Sequence, residues 1–333
     1  MHRDLKPSVF TGVYIRSYEE LLEYVDSRLR EIKGKATSKL LSRKLDIACT
    51  IVVGELENIV KASEAVSGMH EFFRELYRVY VGEDPSVTAR GFRKLSRVAR
   101  DLCRDYESKL NDPQADHVAV FRSGLGRLLS LYKRKARTVS LVKKYVSEVS
   151  RMPDVSGDYR VVIAGMPQVG KSTLLSKLTR AKPEIGAYPF TTRSLIVGHV
   201  EVDYGRIVLI DSPGLLDSRI EEKNIIEKRA ILAVKHLADH LLFVFDVNPS
   251  FYYSLEEQLR VYSMVKEILG DKPAMLVVNK IDSTPREILE SAVGFIESRT
   301  GLKPILISAL LGLNLDLLKK KLYEAFTSRV KIG

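Results

Sequence analysis

Apolar residues in the first half of the chain recur at intervals of three and four, and the breakers fall between the runs, so the sequence predicts helices from end to end. Over Tyr18–Ile32, Leu21, Leu22, Val25, Leu29 and Ile32 share one face. Ser17 stands where an N-cap would, and Glu19 and Glu20 occupy the first turn, where the helix dipole favours acids. The same spacing predicts helices over Lys39–Ala65, Met69–Val81, Thr88–Lys109 and Val118–Ser150, with Gly82-Glu83-Asp84-Pro85 and Asn111-Asp112-Pro113 punctuating the last three. Helices joined by short turns imply an antiparallel bundle.

At Met152-Pro153-Asp154-Val155-Ser156-Gly157-Asp158 the pattern changes to short β-branched runs alternating with helices. The strand candidates are Arg160–Gly165, Ser194–Val202, Arg206–Ile210, Leu241–Asp246, Ala274–Asn279 and Ile305–Ser308. Asp203-Tyr204-Gly205 is a turn signal, so the second and third candidates are expected to pair as an antiparallel hairpin at the sheet edge. The remainder reads as a doubly wound, mostly parallel sheet with ligands at the carboxyl ends of its strands. The fold class expected is thus α + α/β, with a helical domain over residues 1–157 and an α/β domain over 158–333.

Composition narrows the class. At 333 residues, 45% hydrophobic and 29% charged, the chain can build two cores and is not disordered. It has no apolar run long enough to span a bilayer and begins with no signal-peptide core. Cys49 and Cys103 both fall in amphipathic helical patterns, so they are expected as buried small hydrophobes in a reducing compartment and the protein as cytoplasmic. Three glutamines and many ion-pairable residues hint at a thermophilic source. The formal charge of +11 points to a phosphate-rich partner, and it is uneven: residues 1–157 hold 29 Lys and Arg against 21 Asp and Glu, residues 158–333 hold 24 against 21.

The chemistry-bearing motifs lie in the second half. Gly165-Met166-Pro167-Gln168-Val169-Gly170-Lys171-Ser172 fits GxxxxGK[ST] between a strand and the helical run Thr173–Leu178. Glycines let the backbone wrap a phosphate; the expected phosphate-site residues are Gly165, Pro167, Gln168, Val169, Gly170, Lys171, Ser172 and Thr173. Lys171 would neutralise the β and γ phosphates and Ser172 would offer a hydroxyl to Mg²⁺. Asp211-Ser212-Pro213-Gly214 ends a strand, where Asp211 can hold Mg²⁺ through water and the Gly214 N–H can sense the γ phosphate. In Tyr188-Pro189-Phe190-Thr191-Thr192-Arg193 one threonine is expected to reach Mg²⁺ and the γ phosphate, Thr192 ahead of Thr191. Lys171, Thr192 and Gly214 are therefore the catalytic candidates. Asn279-Lys280-Ile281-Asp282 selects the base: Asp282 can accept from N1–H and the 2-amino group of guanine, Lys280 packs its stem on the ring, and Asn279 braces the loop. Ser308-Ala309-Leu310 would give a backbone N–H to guanine O6. The ligands expected are GTP or GDP with Mg²⁺.

Through GMPQVGKS, YPFTT, DSPG, NKID and SAL the chain resembles the Obg group of translation-factor-like GTPases. More narrowly it resembles the nucleolar GTP-binding protein (Nog) family, through Gly124-Leu125-Gly126-Arg127, Lys133-Arg134-Lys135, Arg151-Met152-Pro153 and Tyr188–His199. The resemblance implies a Ras-like P-loop GTPase domain behind a helical bundle, acting in assembly of the large ribosomal subunit. Three departures matter. The chain stops one helix after Ser308-Ala309, where nucleolar members continue into a long extension, so the likeness is to an archaeal, cytoplasmic form. Gln168 replaces the asparagine that in some relatives helps hold K⁺, so the resemblance does not by itself carry potassium over. Leu215 occupies the place of the glutamine that orients the attacking water, and a leucine forms no hydrogen bond, so slow intrinsic hydrolysis stimulated by the particle is expected.

Two basic regions complete the reading. Arg90, Arg93, Lys94, Arg97, Arg100 and Arg104 recur at helical spacing as one stripe opposite Leu95, Val98, Ala99 and Leu102. From His117 to Ser147 no acid interrupts Arg122, Arg127, Lys133, Arg134, Lys135, Arg137, Lys143 and Lys144. Such a field suits rRNA on the large subunit or its precursor. No apolar wedge accompanies the charge, so no membrane is expected, nor DNA, and the chain is expected to be a monomer. The competing functions are a non-enzymatic, GTP-stabilised RNA-binding assembly factor and a GTPase of tRNA modification or signalling. His2-Arg3-Asp4-Leu5-Lys6-Pro7 copies a kinase catalytic loop, but Val9 stands where its metal-binding Asn would be.

Overall fold

The computed structural model describes residues 10, 12–179, 181–191, 193–211 and 233–330. The chain clusters into two compact units, one within Ser8–Ser150 and one built on Arg151–Gly333. The helical unit holds α1 (Tyr18–Arg30), α2 (Ser38–Gly68), α3 (Glu71–Val81), α4 (Pro85–Leu110), α5 (His117–Lys133) and α6 (Ala136–Val149). Ser17 and Glu20 form the reciprocal cap that starts α1, with bonds of 3.2 and 2.7 Å. Pro85, in the first turn of α4, follows the N-cap Asp84, whose carboxylate accepts the Ser86 N–H at 2.9 Å.

α2 and α4 run antiparallel, joined along their length by Ser38 to Leu110, Cys49 to Cys103, Glu57 to Arg100 and Glu64 to Arg93. The cysteines are therefore not separate thiols, as expected from their helical context, but a disulfide with Cα atoms 6.2 Å apart. Helical periodicity cannot tell a buried thiol from a bridge, because pairing depends on which two helices face each other. The buried face of α4 is also rotated from the expected one: Phe92, Ser96, Ala99 and Tyr106 are buried, whereas Val98 is 43% exposed. Small side chains at Ser96 and Ala99 permit close approach to α2, a packing requirement that hydrophobicity alone does not report.

The expected single helix over Val118–Ser150 is two. α5 ends at a C-cap Arg134 whose N–H donates to Ser130 O at 3.1 Å, and α6 starts after Lys135 without a side-chain cap. No Gly, Pro or Asn marks the joint; the cations Lys133, Arg134 and Lys135 suit the carbonyl-rich end of α5. The turn lets α6 bury Val139, Val142, Tyr145 and Val149, with the Tyr145 hydroxyl donating to Phe73 O at 2.8 Å.

The second unit is a seven-stranded sheet in the order β2-β3-β4-β1-β5-β6-β7. Its strands are β1 (Tyr159–Ala164), β2 (Glu184–Ala187), β3 (Ser194–Val202), β4 (Gly205–Asp211), β5 (His240–Asp246), β6 (Ala274–Asn279) and β7 (Ile305–Leu306). Helices α7 (Lys171–Leu178), α8 (Leu255–Leu269), α9 (Arg286–Thr300) and α10 (Leu315–Val330) connect or follow them. β1 and β5 are buried at every position, as central parallel strands must be. β3 and β4 form the expected hairpin, and β2 pairs outside it, antiparallel to β3. β2 escapes the sequence pattern because it has only four residues, none of them buried.

The parallel registers put several of the expected site residues at one edge. Ile163 pairs with Asp211 and Asp246 with Asn279, so the carboxyl ends of β1, β4, β5 and β6 lie at the same rim. Val161, Ile163, Leu174, Leu209, Val244, Val277, Leu318 and Phe326 form the core beneath.

Candidate functional site

The β1–α7 loop is shaped by glycines that no other residue could replace. Gly165 has φ +147° and a Cβ there would lie 2.4 Å from Val244 O; Gly170 has φ +98° and a Cβ there would lie 2.4 Å from Asn279 Nδ2. Lys171 is 7% exposed, and its ammonium donates to the carbonyls of Gly165 at 2.7 Å and Met166 at 2.9 Å. Lys171, Ser172 and Thr173 form the first turn of α7, which has no side-chain cap, so the amino end of the helix faces the loop. Pro167 and Gln168 are exposed at its crest, Gln168 with φ +67°, and Val169 is buried. A cationic, N–H-lined concavity of this kind can receive phosphate oxygens.

Ser172 Oγ donates to the buried carboxylate of Asp211 at 2.7 Å. A hydroxyl and a carboxylate side by side are the hard oxygen donors Mg²⁺ takes, so these residues fit that ion. Thr191 donates to Tyr188 O at 3.0 Å and accepts the Arg193 N–H at 3.1 Å, which commits its hydroxyl to its own turn. Thr192, Gly214 and Leu215 lie outside the described residues, as do Ser212, Pro213 and the His2–Pro7 stretch.

Asn279 is 2% exposed and joins two loops. Its amide donates to Val169 O at 2.8 Å and its oxygen accepts the Ala309 N–H at 2.9 Å. Asp282 is exposed on the 3₁₀ turn Ile281–Ser283. Ser308 is buried, its N–H donating to Leu313 O at 3.1 Å and its Oγ accepting the Leu311 N–H at 3.1 Å; the Leu310 side chain is 67% exposed. Phosphate loop, Asp211, Asn279 and Ala309 are thus brought together. Sequence reasoning missed Asp246 and Gln258, both 1% exposed; the one available signal was a carboxylate ending an apolar strand.

Residues 19–156 match the family described as the NOG1 N-terminal helical domain, and residues 160–280 the family described as 50S ribosome-binding GTPase. Nucleolar GTP-binding protein 1 of Drosophila melanogaster is 34% identical over 240 residues, which is 71% of this chain and 37% of that protein. An uncharacterized protein of Methanocaldococcus jannaschii is 33% identical over 247 residues, 73% of this chain and 69% of its own length. The chain belongs to the nucleolar GTP-binding protein 1 family. It spans 37% of the Drosophila relative's length. The crystal structure of the Plasmodium falciparum protein of that name matches 52% of this chain and 88% of that one, with a TM-score of 0.44 at 26% identity.

The bundle of this Nog-family chain presents cations of two kinds. Within the expected stripe, Arg93 and Arg100 are ion-paired with Glu64 and Glu57 of α2, and Arg104 with Asp101 at 3.3 Å. Arg90, Lys94 and Arg97 are exposed on the side of α4 away from its buried face. Further along, both carboxylate oxygens of Glu20 accept from Lys143, and that bond holds the Glu20 carboxyl below its ordinary value. Arg127, Lys133 and Lys144 lie 5.6–5.9 Å from the ring centroids of Tyr106, Tyr18 and Tyr80. Arg122, Arg134, Lys135 and Arg137 are exposed. No described helix is long and apolar enough to cross a membrane.

Proposed function

We propose that the chain is a GTP-binding and GTP-hydrolysing switch that works in large-subunit assembly, with residues 1–157 docking on rRNA or the particle and residues 158–333 as the switch. The observation that carries the nucleotide half is Asn279, whose two bonds, to Val169 O and from Ala309 N–H, tie a phosphate-shaped loop to a base-reading loop. Lys171 gives up its carbonyl partners to the β and γ oxygens, and the loop N–H groups take the rest of their charge. Asp282 accepts from the guanine N1–H and 2-amino group, the Lys280 stem stacks, and the loop at Ser308, Ala309 and Leu310 meets O6. Ser172, Asp211 and Thr192 would hold Mg²⁺, which neutralises charge between the β and γ phosphates when bound.

Leu215 supplies no hydrogen bond to a water, so turnover by the isolated chain is slow and the particle completes the site, while the Gly214 N–H and Thr192 respond to the γ phosphate. The family name and the match to a 50S ribosome-binding GTPase family support the ribosomal partner. The exposed cations of α4, α5 and α6 suit the phosphate backbone of an rRNA surface.

The test is GTP turnover measured with and without large subunits, read together with nucleotide-dependent cosedimentation. Slow turnover alone and stimulated turnover with subunits are expected. Fast turnover alone contradicts the leucine argument, and no turnover in either condition leaves a non-enzymatic RNA-binding factor. Asp282→Asn is expected to shift preference from guanine to xanthine nucleotides, and unchanged preference would undo the base assignment.

A further inference from the structure

Asp246 ends β5 as its only carboxylate and is buried to 1% exposure. Its backbone is fixed twice by Gln258 of α8: its N–H donates to Oε1 at 3.0 Å and its carbonyl accepts from Nε2 at 2.7 Å. One carboxylate oxygen accepts the Asn248 N–H at 3.0 Å, and the other meets the Lys280 ammonium at 2.6 Å. Phe251, on the same loop, has its ring centroid 5.5 Å from that ammonium. Asn248 also donates to Ser283 O at 2.7 Å, so residues 246–251 grip the base loop at two points.

A carboxylate this buried is costly unless paired, and its one cationic contact among the described residues is Lys280. Lys280 itself sits at φ +62°, a conformation a lysine keeps only where its surroundings impose it. Laying a lysine stem on a planar ligand ordinarily costs the freedom of four rotatable bonds. Tethering the ammonium beforehand removes that cost from the binding step.

We propose that Asp246, braced by Gln258 and assisted by Phe251, is the positioning residue for Lys280: it holds the ammonium so that the stem is already laid out for the base, and it thereby sets how long guanine nucleotide stays bound. This rests on reading Asn279–Asp282 as the guanine loop. Asp246 touches no nucleotide in this scheme and acts through Lys280 alone, so its effect vanishes when Lys280 is absent.

The experiment is stopped-flow release of N-methylanthraniloyl-GDP from the full chain, comparing wild type, Asp246→Asn, Lys280→Ala and the double variant. Asp246→Asn is expected to speed release about tenfold, the weight of one immobilised long side chain, with association within about twofold. On the Lys280→Ala background it should add less than about twofold. Equal acceleration on both backgrounds, or none on either, overturns the inference. If Asp246→Asn does not fold by circular dichroism, Phe251→Leu makes the same comparison: release about threefold faster only where Lys280 is present supports the tether, and an additive or absent effect overturns it. Failure of the underlying reading looks different, because wild type would then show no preference for the GDP probe over its ADP counterpart, and the inference falls with it.

Discussion

The side-chain amide of Asn279 donates to the carbonyl of Val169 at 2.8 Å, across 110 residues of sequence. The same side chain accepts the Ala309 N–H, so Asn279→Ala leaves two buried backbone groups without partners. Each such group costs about 1–3 kcal/mol, and a loss of about 2–4 kcal/mol is expected for the α/β unit, with weaker nucleotide binding. Urea unfolding followed in that unit checks it; a loss under about 1 kcal/mol would mean that solvent replaces the bridge.

The Cys49–Cys103 bond closes a separation of 54 residues. By chain-entropy reasoning such a crosslink stabilises by about 4 kcal/mol, acting mainly on the unfolded chain. Reduction, or Cys49→Ser, is expected to lower the unfolding midpoint of the helical unit and leave that of the α/β unit in place. Thiol counting by mass after alkylation, paired with urea titration, measures this. Identical midpoints with and without reductant would show that the α2–α4 contact does not depend on the bond.

Motifs anchored to strand ends were legible because their spacing is set by backbone chemistry: GxxxxGKS needs glycine at Gly165 and Gly170, and the structure leaves no room there for a Cβ. Long amphipathic helices were legible too, Ser17 and its cap included. What escaped was set by partners distant in sequence. Asp246 reads as the polar end of an apolar strand until Lys280 is brought beside it, and Arg93 and Arg100 read as free cations until α2 supplies Glu64 and Glu57. The α5–α6 joint has no breaker, and β2 is too short to show a period.

His240 is 5% exposed, and burial, aided by the charge of Lys266, pushes its pKa down from 6.5 to about 4. Its Nδ1 lies 2.8 Å from the Tyr159 hydroxyl, an arrangement suited to the neutral ring. Because the native value is depressed, the unfolded chain binds a proton first as pH falls. Stability is full above pH 6.5, declines below it and levels off under about pH 4, with a total loss of about 3 kcal/mol from this group. Thermal unfolding from pH 7 to pH 4 is expected to show that decline in wild type and a shallower one in His240→Gln. Parallel profiles would assign the acid sensitivity to other groups.

The pairing of Arg93 with Glu64 and Arg100 with Glu57 divides the α4 stripe into residues that hold the bundle and residues that can meet a ligand. Charge reversal at Arg93 and Arg100 sets carboxylate against carboxylate at the α2 contact. These pairs are half exposed and screened, so the expected cost is about 1–2 kcal/mol of stability for both together. Arg90, Lys94 and Arg97 make no such contact with α2 among the described ion pairs, and reversing all three is expected to leave the unfolding midpoint and GDP affinity unchanged while abolishing cosedimentation with large subunits. Partial variants sharpen this further: replacing the three by glutamine removes up to three phosphate contacts, so the slope of log affinity against log salt should shrink by roughly 2–3. Equal binding losses for the two sets of substitutions would mean that bundle integrity, and not local charge, governs docking. An unchanged salt slope with intact binding would move the contact surface off α4, to the exposed Arg122, Arg134, Lys135 and Arg137 of the following helices and their joint.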